Sequence, residues 1–320
     1  MVSVFERSSG SHPLVLDIKG NALDDGPGIR SVVFFKGCPL ACVWCHNPEG
    51  KASVMELSFD GEKCIGCGRC VSVCPEKMIE GEGGAGLNRD GCSLCMVCTE
   101  TCPSKALSPV GRFLTEDEMV MEVLKDRPFF EASGGGVTLS GGEPTLNTSF
   151  CGKLLARFKE EGVHTLLETC GHFNWERFEA EILPHVDTLY CDIKLMDPHA
   201  HIQHCGISNQ IILKNLEKLL TLSRDGSLDF LPRIPLIPGI TTTDENIGDI
   251  GAFLITHGGY KVQVMPYNPL WLSKHQKIGL NSPLEELAAT DEGEAFTRFM
   301  TREEVGHCVS ILEAAGLSVI

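Results

Sequence analysis

Hydrophobic and polar positions follow two alternating periods over the C-terminal two-thirds of the chain, and each change of period marks an element. Thr115-Glu116-Asp117-Glu118 has the form of a capping box, after which Met119, Val120, Val123 and Leu124 fall on one helical face. Val137–Ser140 is a short apolar run of strand character. Phe150, Leu154, Leu155 and Phe158 line a helix that Gly162 should stop. The alternation continues: strand at Val163–Glu168, helix on Trp175, Phe178 and Ile182, strand at Thr188–Ile193, helix on Ile212, Leu216, Leu219 and Leu220. Phe230–Ile237 reads as a strand despite two interior prolines, which argue against it. Ile247, Ile250 and Leu254 give a helix and Lys261–Met265 a strand. A long irregular segment follows, and Thr301-x-x-Glu304 caps a last helix carrying Val305, Cys308, Val309 and Leu312. Near the N-terminus, Leu14–Ile18 is a short apolar run, and Ser31–Lys36 a buried strand.

Strands alternating with helices predict an α/β fold with an all-parallel sheet. The alternation alone leaves an open doubly wound sheet and a partial barrel equally admissible. Between the two apolar N-terminal runs and the capping box the composition changes to short, Gly- and Cys-rich stretches. The division expected is 1–51 as the start of the main domain, 52–110 as an insert and 111–320 as the remainder.

Composition narrows the function. The 320 residues carry a formal net charge of −16. No basic cluster stands out, which argues against a nucleic-acid partner. No apolar run reaches the ~20 residues of a membrane span. Met1–Ser11 is polar, without the core of a signal peptide, so a cytoplasmic protein is expected. Sixteen cysteines in such a chain point to metal rather than to disulfides.

Their spacing gives the metal. Cys38, Cys42 and Cys45 form C-x3-C-x2-C: three thiolates for a four-iron cubane, with one iron left open. A zinc knuckle completed by His46 is the alternative. In the insert, Cys64-x2-Cys67-x2-Cys70-x3-Cys74-Pro75 repeats as Cys92-x2-Cys95-x2-Cys98-x3-Cys102-Pro103. This is the two-cluster ferredoxin pattern, in which the fourth cysteine of each run serves the other cluster. One set is then Cys64, Cys67, Cys70 and Cys102, the other Cys74, Cys92, Cys95 and Cys98. A pair of zinc ribbons is the alternative, and two clusters could either relay electrons or only hold a small domain together. Cys151, Cys170, Cys191, Cys205 and Cys308 sit in apolar surroundings and read as core.

The run Asp25-Gly26-Pro27-Gly28-Ile29-Arg30, Phe34-Phe35-Lys36-Gly37-Cys38 and Trp44-Cys45-His46-Asn47 resembles the radical S-adenosylmethionine (SAM) enzymes, and among them the activating enzymes of glycyl radical enzymes. The resemblance extends from there to Asn268. It implies a partial (β/α)6 barrel with an inserted two-cluster ferredoxin-like domain, three [4Fe–4S] clusters and SAM as cofactors, and an oxygen-poor setting. It also implies reductive cleavage of SAM to methionine and 5′-deoxyadenosine. The partner is then a glycyl radical enzyme, with flavodoxin or ferredoxin as electron donor.

Residue by residue, the resemblance puts Trp44, Cys45, His46, Asp192 and Ile193 at the cofactor, Gly141-Gly142-Glu143 at the SAM amino group, Lys194 at its carboxylate and Arg233 close by. Asn268 stands where the resembled enzymes carry histidine. Glu168, Thr169 and Asp192 correspond to a monovalent-cation site, with Glu168 in place of aspartate, and Asp25 to a contact with the partner's glycine loop; plain strand-end hydrogen bonding and a plain turn are the respective alternatives. Two other functions remain open from sequence: a radical SAM enzyme acting on a small molecule, and an iron–sulfur electron carrier that does not cleave SAM.

Overall fold

The computed structural model describes residues 12–81, 86–281, 284 and 291–320. The expectation for Met1–Ser11 lies outside the described residues. The described residues form thirteen strands: β1 Leu14–Ala22, β2 Arg30–Phe35, β3 Glu56–Phe59, β4 Ile79–Glu80, β5 Gly86–Leu87, β6 Leu107–Val110, β7 Arg112–Phe113, β8 Gly136–Gly141, β9 His164–Thr169, β10 Thr188–Asp192, β11 Asp229–Leu236, β12 Lys261–Pro266 and β13 Ser318–Val319. Nine of them form one sheet in the order β13-β12-β11-β10-β9-β8-β2-β1-β7.

From β2 to β13 every pairing is parallel. The expectation of an all-parallel sheet needs correction at one edge, where β1 runs antiparallel to both β2 and β7. The Asp25–Gly28 turn joins β1 directly to β2, and a tight turn can connect only antiparallel neighbours. The central strands are buried on both faces along most of their length, as is usual for strands of a parallel sheet. β11 keeps its two prolines between two partners. Pro232 and Pro235 lose ladder donors but not acceptors, and the Pro235 carbonyl takes the Thr241 hydroxyl at 2.6 Å.

The helices follow the periodicity. Thr115 and Glu118 close the expected capping box on Glu116–Val123, and Thr301 and Glu304 do so on Arg302–Ala314. Thr148–Glu160 ends before Gly162, whose φ of +70° favours glycine. Among the helices not anticipated are Arg127–Ser133 and two that bear on the site. Pro198–Cys205 starts from Asp197, which accepts from the Ala200 N–H, and stops at Gly206 (φ +85°). Leu272–Ile278 lies within the segment expected to be irregular, part of which falls outside the described residues. Among the described residues no helix is long and apolar enough to cross a membrane.

Residues 56–110 build a separate small body. β3 pairs with β6, β4 with β5, and Leu57, Cys70, Ile79, Met96, Cys98 and Leu107 make its own apolar centre. Its cysteine duplication is also a backbone duplication with an offset of 28. Left-handed residues recur as Gly66 and Leu94, Gly68 and Met96, and Lys77 and Lys105. A short helix follows the second of these in each copy, Arg69–Val73 and Val97–Thr101. Leu94 and Met96 hold φ values that cost non-glycine residues ~1 kcal/mol or more, so the repeated fold outweighs local preference there.

This body is fastened to the main sheet by a buried lysine at the end of β2. Lys36 Nζ donates to Glu56 Oε2 at 2.5 Å and to the Glu49 carbonyl at 2.7 Å, and its side chain has no solvent exposure. Lys36→Met removes the charge-assisted bond that joins the insert to β2, worth ~1.5–3 kcal/mol. Amides of residues 56–60 and 107–110 are expected to exchange hydrogen faster while β9 and β10 are unaffected. Unchanged exchange in the insert would show that Lys36 is not what fastens it.

Candidate functional site

The C-terminal ends of the parallel strands open into one cavity of about 530 Å³. β2 delivers Cys38, Cys42, Trp44, Cys45 and His46 to its wall; β8 brings Gly141 and Gly142, β9 Glu168 and Thr169, β10 Asp192 and Lys194, β11 Arg233 and β12 Asn268. Asp25, from the turn between β1 and β2, is part of the same wall. Residues far apart in sequence thus meet because each follows, or ends, a strand of one sheet.

The cysteine loop lies directly on the backbone of β8. Gly37 N–H donates to the Gly50 carbonyl at 2.7 Å, Glu143 N–H to the Gly37 carbonyl at 2.7 Å, and Gly142 N–H to the Phe35 carbonyl at 2.8 Å. A Cβ on Gly142 would sit 2.2 Å from the Gly37 oxygen and 2.7 Å from that of Gly50. Glycine is needed at 142 for loop-to-strand contact, before any ligand is considered. On its far side the loop is held by the carbonyl end of helix Pro198–Cys205: Ala41 N–H meets the Cys205 carbonyl at 2.8 Å and Val43 N–H the His204 carbonyl at 3.0 Å.

Two expected cofactor residues point elsewhere. Glu143 is fully buried outside the cavity wall. Its carboxylate accepts from Thr145 Oγ1 (2.7 Å), Thr169 Oγ1 (2.8 Å) and the Cys170 N–H (2.7 Å), welding the end of β8 to the end of β9. Ile193 is likewise buried off the wall, and its N–H continues the ladder to the Arg233 carbonyl at 2.8 Å. Strand alternation explains it: Asp192 and Lys194 face the cavity, so Ile193 must face away.

Three buried charges, Glu168, Lys194 and Arg233, and the half-buried Asp192 organise the opposite wall. Arg233 donates through Nη1 to Glu168 Oε1 at 2.6 Å and through Nε to Asp192 Oδ1 at 3.2 Å; Lys194 Nζ lies 3.1 Å from Asp192 Oδ2. Ser140 Oγ adds 2.6 Å to Glu168 Oε2. Burial works against the Lys194 ammonium, but Asp192 and the nearby thiols Cys42, Cys170 and Cys205 outweigh it and hold its pKa above the ordinary lysine range. Burial opposes ionisation of Asp192 too, and Lys194 with Arg233 reverses that. A guanidinium bridges Glu168 and Asp192, two of the three residues expected at a monovalent cation, and the third, Thr169, donates its hydroxyl to Glu143 at 2.8 Å. The Asn268 Oδ1 accepts from the Leu270 N–H at 3.3 Å. Burial first, then Glu168, raises the pKa of Asp25.

The three loop cysteines fit a cluster. Burial pushes Cys45 up to about 12, so without a metal it stays a neutral thiol. Cys38, Cys42 and Cys45 line the cavity together, and a cubane takes one thiolate on each of three irons. Burial, then Lys274, pushes His46 down to about 4, and its Nε2 is buried with no partner among the described residues. That neutral nitrogen is a polar group of the wall left for a ligand. Of the cysteines read as core, all are buried, yet Cys170 also lines the cavity and the Cys205 thiol lies beside Cys42.

In the insert the eight cysteines surround two separate small cavities. One is lined by Cys64, Cys67, Cys70 and Cys102, the other by Cys74, Cys92, Cys95 and Cys98. The crossing of the fourth cysteine of each run to the other group is thus a property of the fold.

Sequence reasoning missed helix Leu272–Ile278, which ties the insert to the cysteine loop. Lys274 Nζ donates to the His46 carbonyl and to Asn47 Oδ1, both at 2.9 Å, and pairs with Glu49 at 3.2 Å. Lys277 Nζ reaches Asp60 Oδ2 at 2.9 Å, while its carbonyl accepts from Arg89 of the insert at 3.0 Å.

The family model of the Radical SAM superfamily matches residues 32–250. The trans-4-hydroxy-L-proline dehydratase activating enzyme of Clostridioides difficile is 39% identical over 286 residues, covering 88% of this chain and 93% of its own. The isethionate sulfite-lyase activating enzyme of Oleidesulfovibrio alaskensis is 37% identical over 285 residues, covering 87% and 91%. A radical SAM methyltransferase structure from Sphaerobacter thermophilus is similar in fold, with a TM-score of 0.52 at 15% identity, covering 97% of this chain and 76% of that one.

Two outcomes follow from the geometry. Gly142→Ala forces a methyl group into the loop backbone, so amides of residues 37–51 are expected to lose hydrogen-exchange protection while those of β10 and β11 keep it. Retained protection would mean that the loop can back away at no cost. Arg233→Ala leaves the buried Glu168 without its cation, while Asp192 keeps Lys194, and is expected to destabilise the fold by ~3–5 kcal/mol; an unchanged denaturation midpoint would contradict the bridge.

Proposed function

The chain belongs to the radical SAM superfamily, among the activating enzymes of glycyl radical enzymes, and from that premise we propose that its cavity binds SAM beside a four-iron cluster held by Cys38, Cys42 and Cys45. The observation that carries this reading is the meeting of these three thiols with Gly142, Lys194 and Arg233 around one cavity. When bound, the cluster and SAM supply a one-electron cleavage that yields methionine and 5′-deoxyadenosine, with the hydrogen taken from a glycine of the partner enzyme. The protein's own residues bind, orient and exclude water.

Lys194 spends one N–H on Asp192 and keeps two for a carboxylate in the cavity. Gly141 and Gly142 leave that part of the wall without side chains, open to an amino group. The neutral His46 Nε2 offers one polar contact from the cysteine loop. Arg233, fixed from both sides by Glu168 and Asp192, keeps its orientation whether or not a ligand is present, which favours a positioned site over one that reorganises. Asp25 stands in the wall on the turn between β1 and β2. Its carbonyl accepts from Thr138 at 2.8 Å, and Arg30 fixes the same turn through the Pro27 carbonyl at 3.1 Å. A turn anchored from beneath leaves the Asp25 carboxyl group available to an incoming glycine loop.

The partner is a glycyl radical enzyme. The two cysteine groups of the insert support two further four-iron clusters, three in all. An electron relay is favoured over a purely structural role because Cys67 and Cys95 are exposed while the insert is fastened to the cysteine loop through Lys36 and helix Leu272–Ile278. Flavodoxin or ferredoxin fits as the donor.

The test is an anaerobic mixture of this protein, SAM, a reductant and a panel of purified glycyl radical enzymes, followed by electron paramagnetic resonance. A doublet glycyl signal on one partner is expected, together with its loss in Cys42→Ala, while the iron of the insert is retained. Silence across the panel combined with SAM consumption driven by a small molecule would replace this reading. Normal SAM turnover by Cys42→Ala would overturn the cluster assignment.

A further inference from the structure

The two cysteine groups of the insert are not equivalent in position. The β3–β6 ladder runs from Glu56 opposite Val110 to Phe59 opposite Leu107. Its first end is attached to the main sheet, while just past its other end Lys277 of helix Leu272–Ile278 holds Asp60. Glu56 holds Lys36, two residues before Cys38, and Val110 leads into β7 of the large sheet. The cavity of Cys74, Cys92, Cys95 and Cys98 borders this ladder at Leu57; that of Cys64, Cys67, Cys70 and Cys102 borders it at Phe59 and Leu107, the end away from the main sheet. The first group is therefore the inner one and the second the outer.

The internal duplication lets the two rims be compared position by position at the offset of 28. Lys63 and Arg69 of the outer rim correspond to Gly91 and Val97 of the inner. Glu62 corresponds to Asp90, and each rim has one further lysine, Lys105 outside and Lys77 inside. The inner rim adds Glu76 where the outer has Ser104. Asp60, Gly61 and Ser72 correspond to Asn88, Arg89 and Glu100, so the outer rim carries three cations against two carboxylates, with Lys63 paired to Asp60 at 3.7 Å, and the inner rim two cations against three. Arg69 and Lys105 are exposed and make no ion pair among the described residues, and Ile65 beside Cys67 is 67% exposed. This cationic rim with an apolar tip stands on a chain whose net charge is −16, so an acidic protein is repelled by most of the surface and drawn to this face.

We propose that the face around Cys64, Cys67, Cys70 and Cys102 is the docking surface for a small acidic one-electron carrier protein, and that electrons enter the insert there. This rests on the reading that both cysteine groups hold redox-active clusters. The step balances simply: the carrier loses one electron and the insert gains one, with no bond made or broken. Such encounters are small in area and steered by charge, which suits a rim of exposed lysine and arginine.

The experiment uses the holoprotein under nitrogen, with reduced flavodoxin as the probe and bleaching of the iron–sulfur absorbance followed by stopped flow. Arg69→Glu/Lys105→Glu is expected to slow reduction by about tenfold or more at low ionic strength, and the difference should fade as salt shortens the range of the charges. Lys77→Glu, the duplicate position on the inner rim, is expected to leave the rate unchanged. Photoreduction by deazaflavin, which needs no docking, should be the same in all three proteins and shows that the clusters are intact. Equal slowing by both variants, or by neither, overturns the docking face. Iron content separates the premise: about twelve irons per chain supports three cubanes, whereas about four sinks the premise and the inference with it.

Discussion

The contact on which the site depends is backbone against backbone. Gly37, Gly50 and Gly142 bring the cysteine loop to within hydrogen-bonding distance of the end of β8, with no room for a Cβ at 142. Two consequences follow. The thiols of Cys38, Cys42 and Cys45 are set relative to the sheet by main-chain geometry, which is stiffer than any side-chain contact. The carboxylate of Glu143 is also driven inward, where it joins β8 to β9 through Thr169 and Cys170. The Gly-Gly-Glu run is thus chiefly a joint. Its glycines admit the loop, its glutamate locks the neighbouring strand, and what the cavity sees is the glycine backbone.

Across the cavity the problem is electrostatic. Four charges lie at the ends of three adjacent strands, in surroundings that penalise each one taken alone. They are tolerated because they alternate: Glu168, Arg233, Asp192 and Lys194 form a chain in which every carboxylate meets a cation. The chain ends on Lys194, which has donors to spare, and this end faces the cysteines. On the proposed reading, a ligand carboxylate at Lys194 completes the sequence of alternating charges.

Much of this was legible in the sequence because it is local. The capping boxes at Thr115 and Thr301, the stop at Gly162 and the order of strands and helices depend on a few neighbouring residues and were read correctly. The partition of the eight insert cysteines followed from a duplicated spacing, and the backbone repeats it down to left-handed φ at Leu94 and Met96. What failed was orientation and long range. Ile193 was grouped with its neighbours although strand alternation turns it away. Glu143 was assigned by motif, while its partners sit 26 and 27 residues further on. Helix Pro198–Cys205 had a visible cap at Asp197 and a stop at Gly206, and only its short length hid it. Helix Leu272–Ile278 has no cap box and no clear stripe; its lysines make sense only once the segments they grip, 217 and 228 positions away, are in place.

Those long-range grips alter what the insert is. A cluster domain inserted after residue 51 could be a detachable module, linked by its two chain crossings alone. Here Lys36 and Lys274 both converge on Glu49, one through its carbonyl and the other through its carboxylate. Lys36 reaches on to Glu56, and the neighbouring Lys277 to Asp60, inside the insert. Residues 46–49 are therefore held between the cavity and the insert. Removing the insert would take away the carboxylate that pairs with Lys36 and leave its ammonium only the Glu49 carbonyl. The main domain has been built around the presence of its insert, and the stretch that closes the cysteine loop is the point at which the two bodies become one.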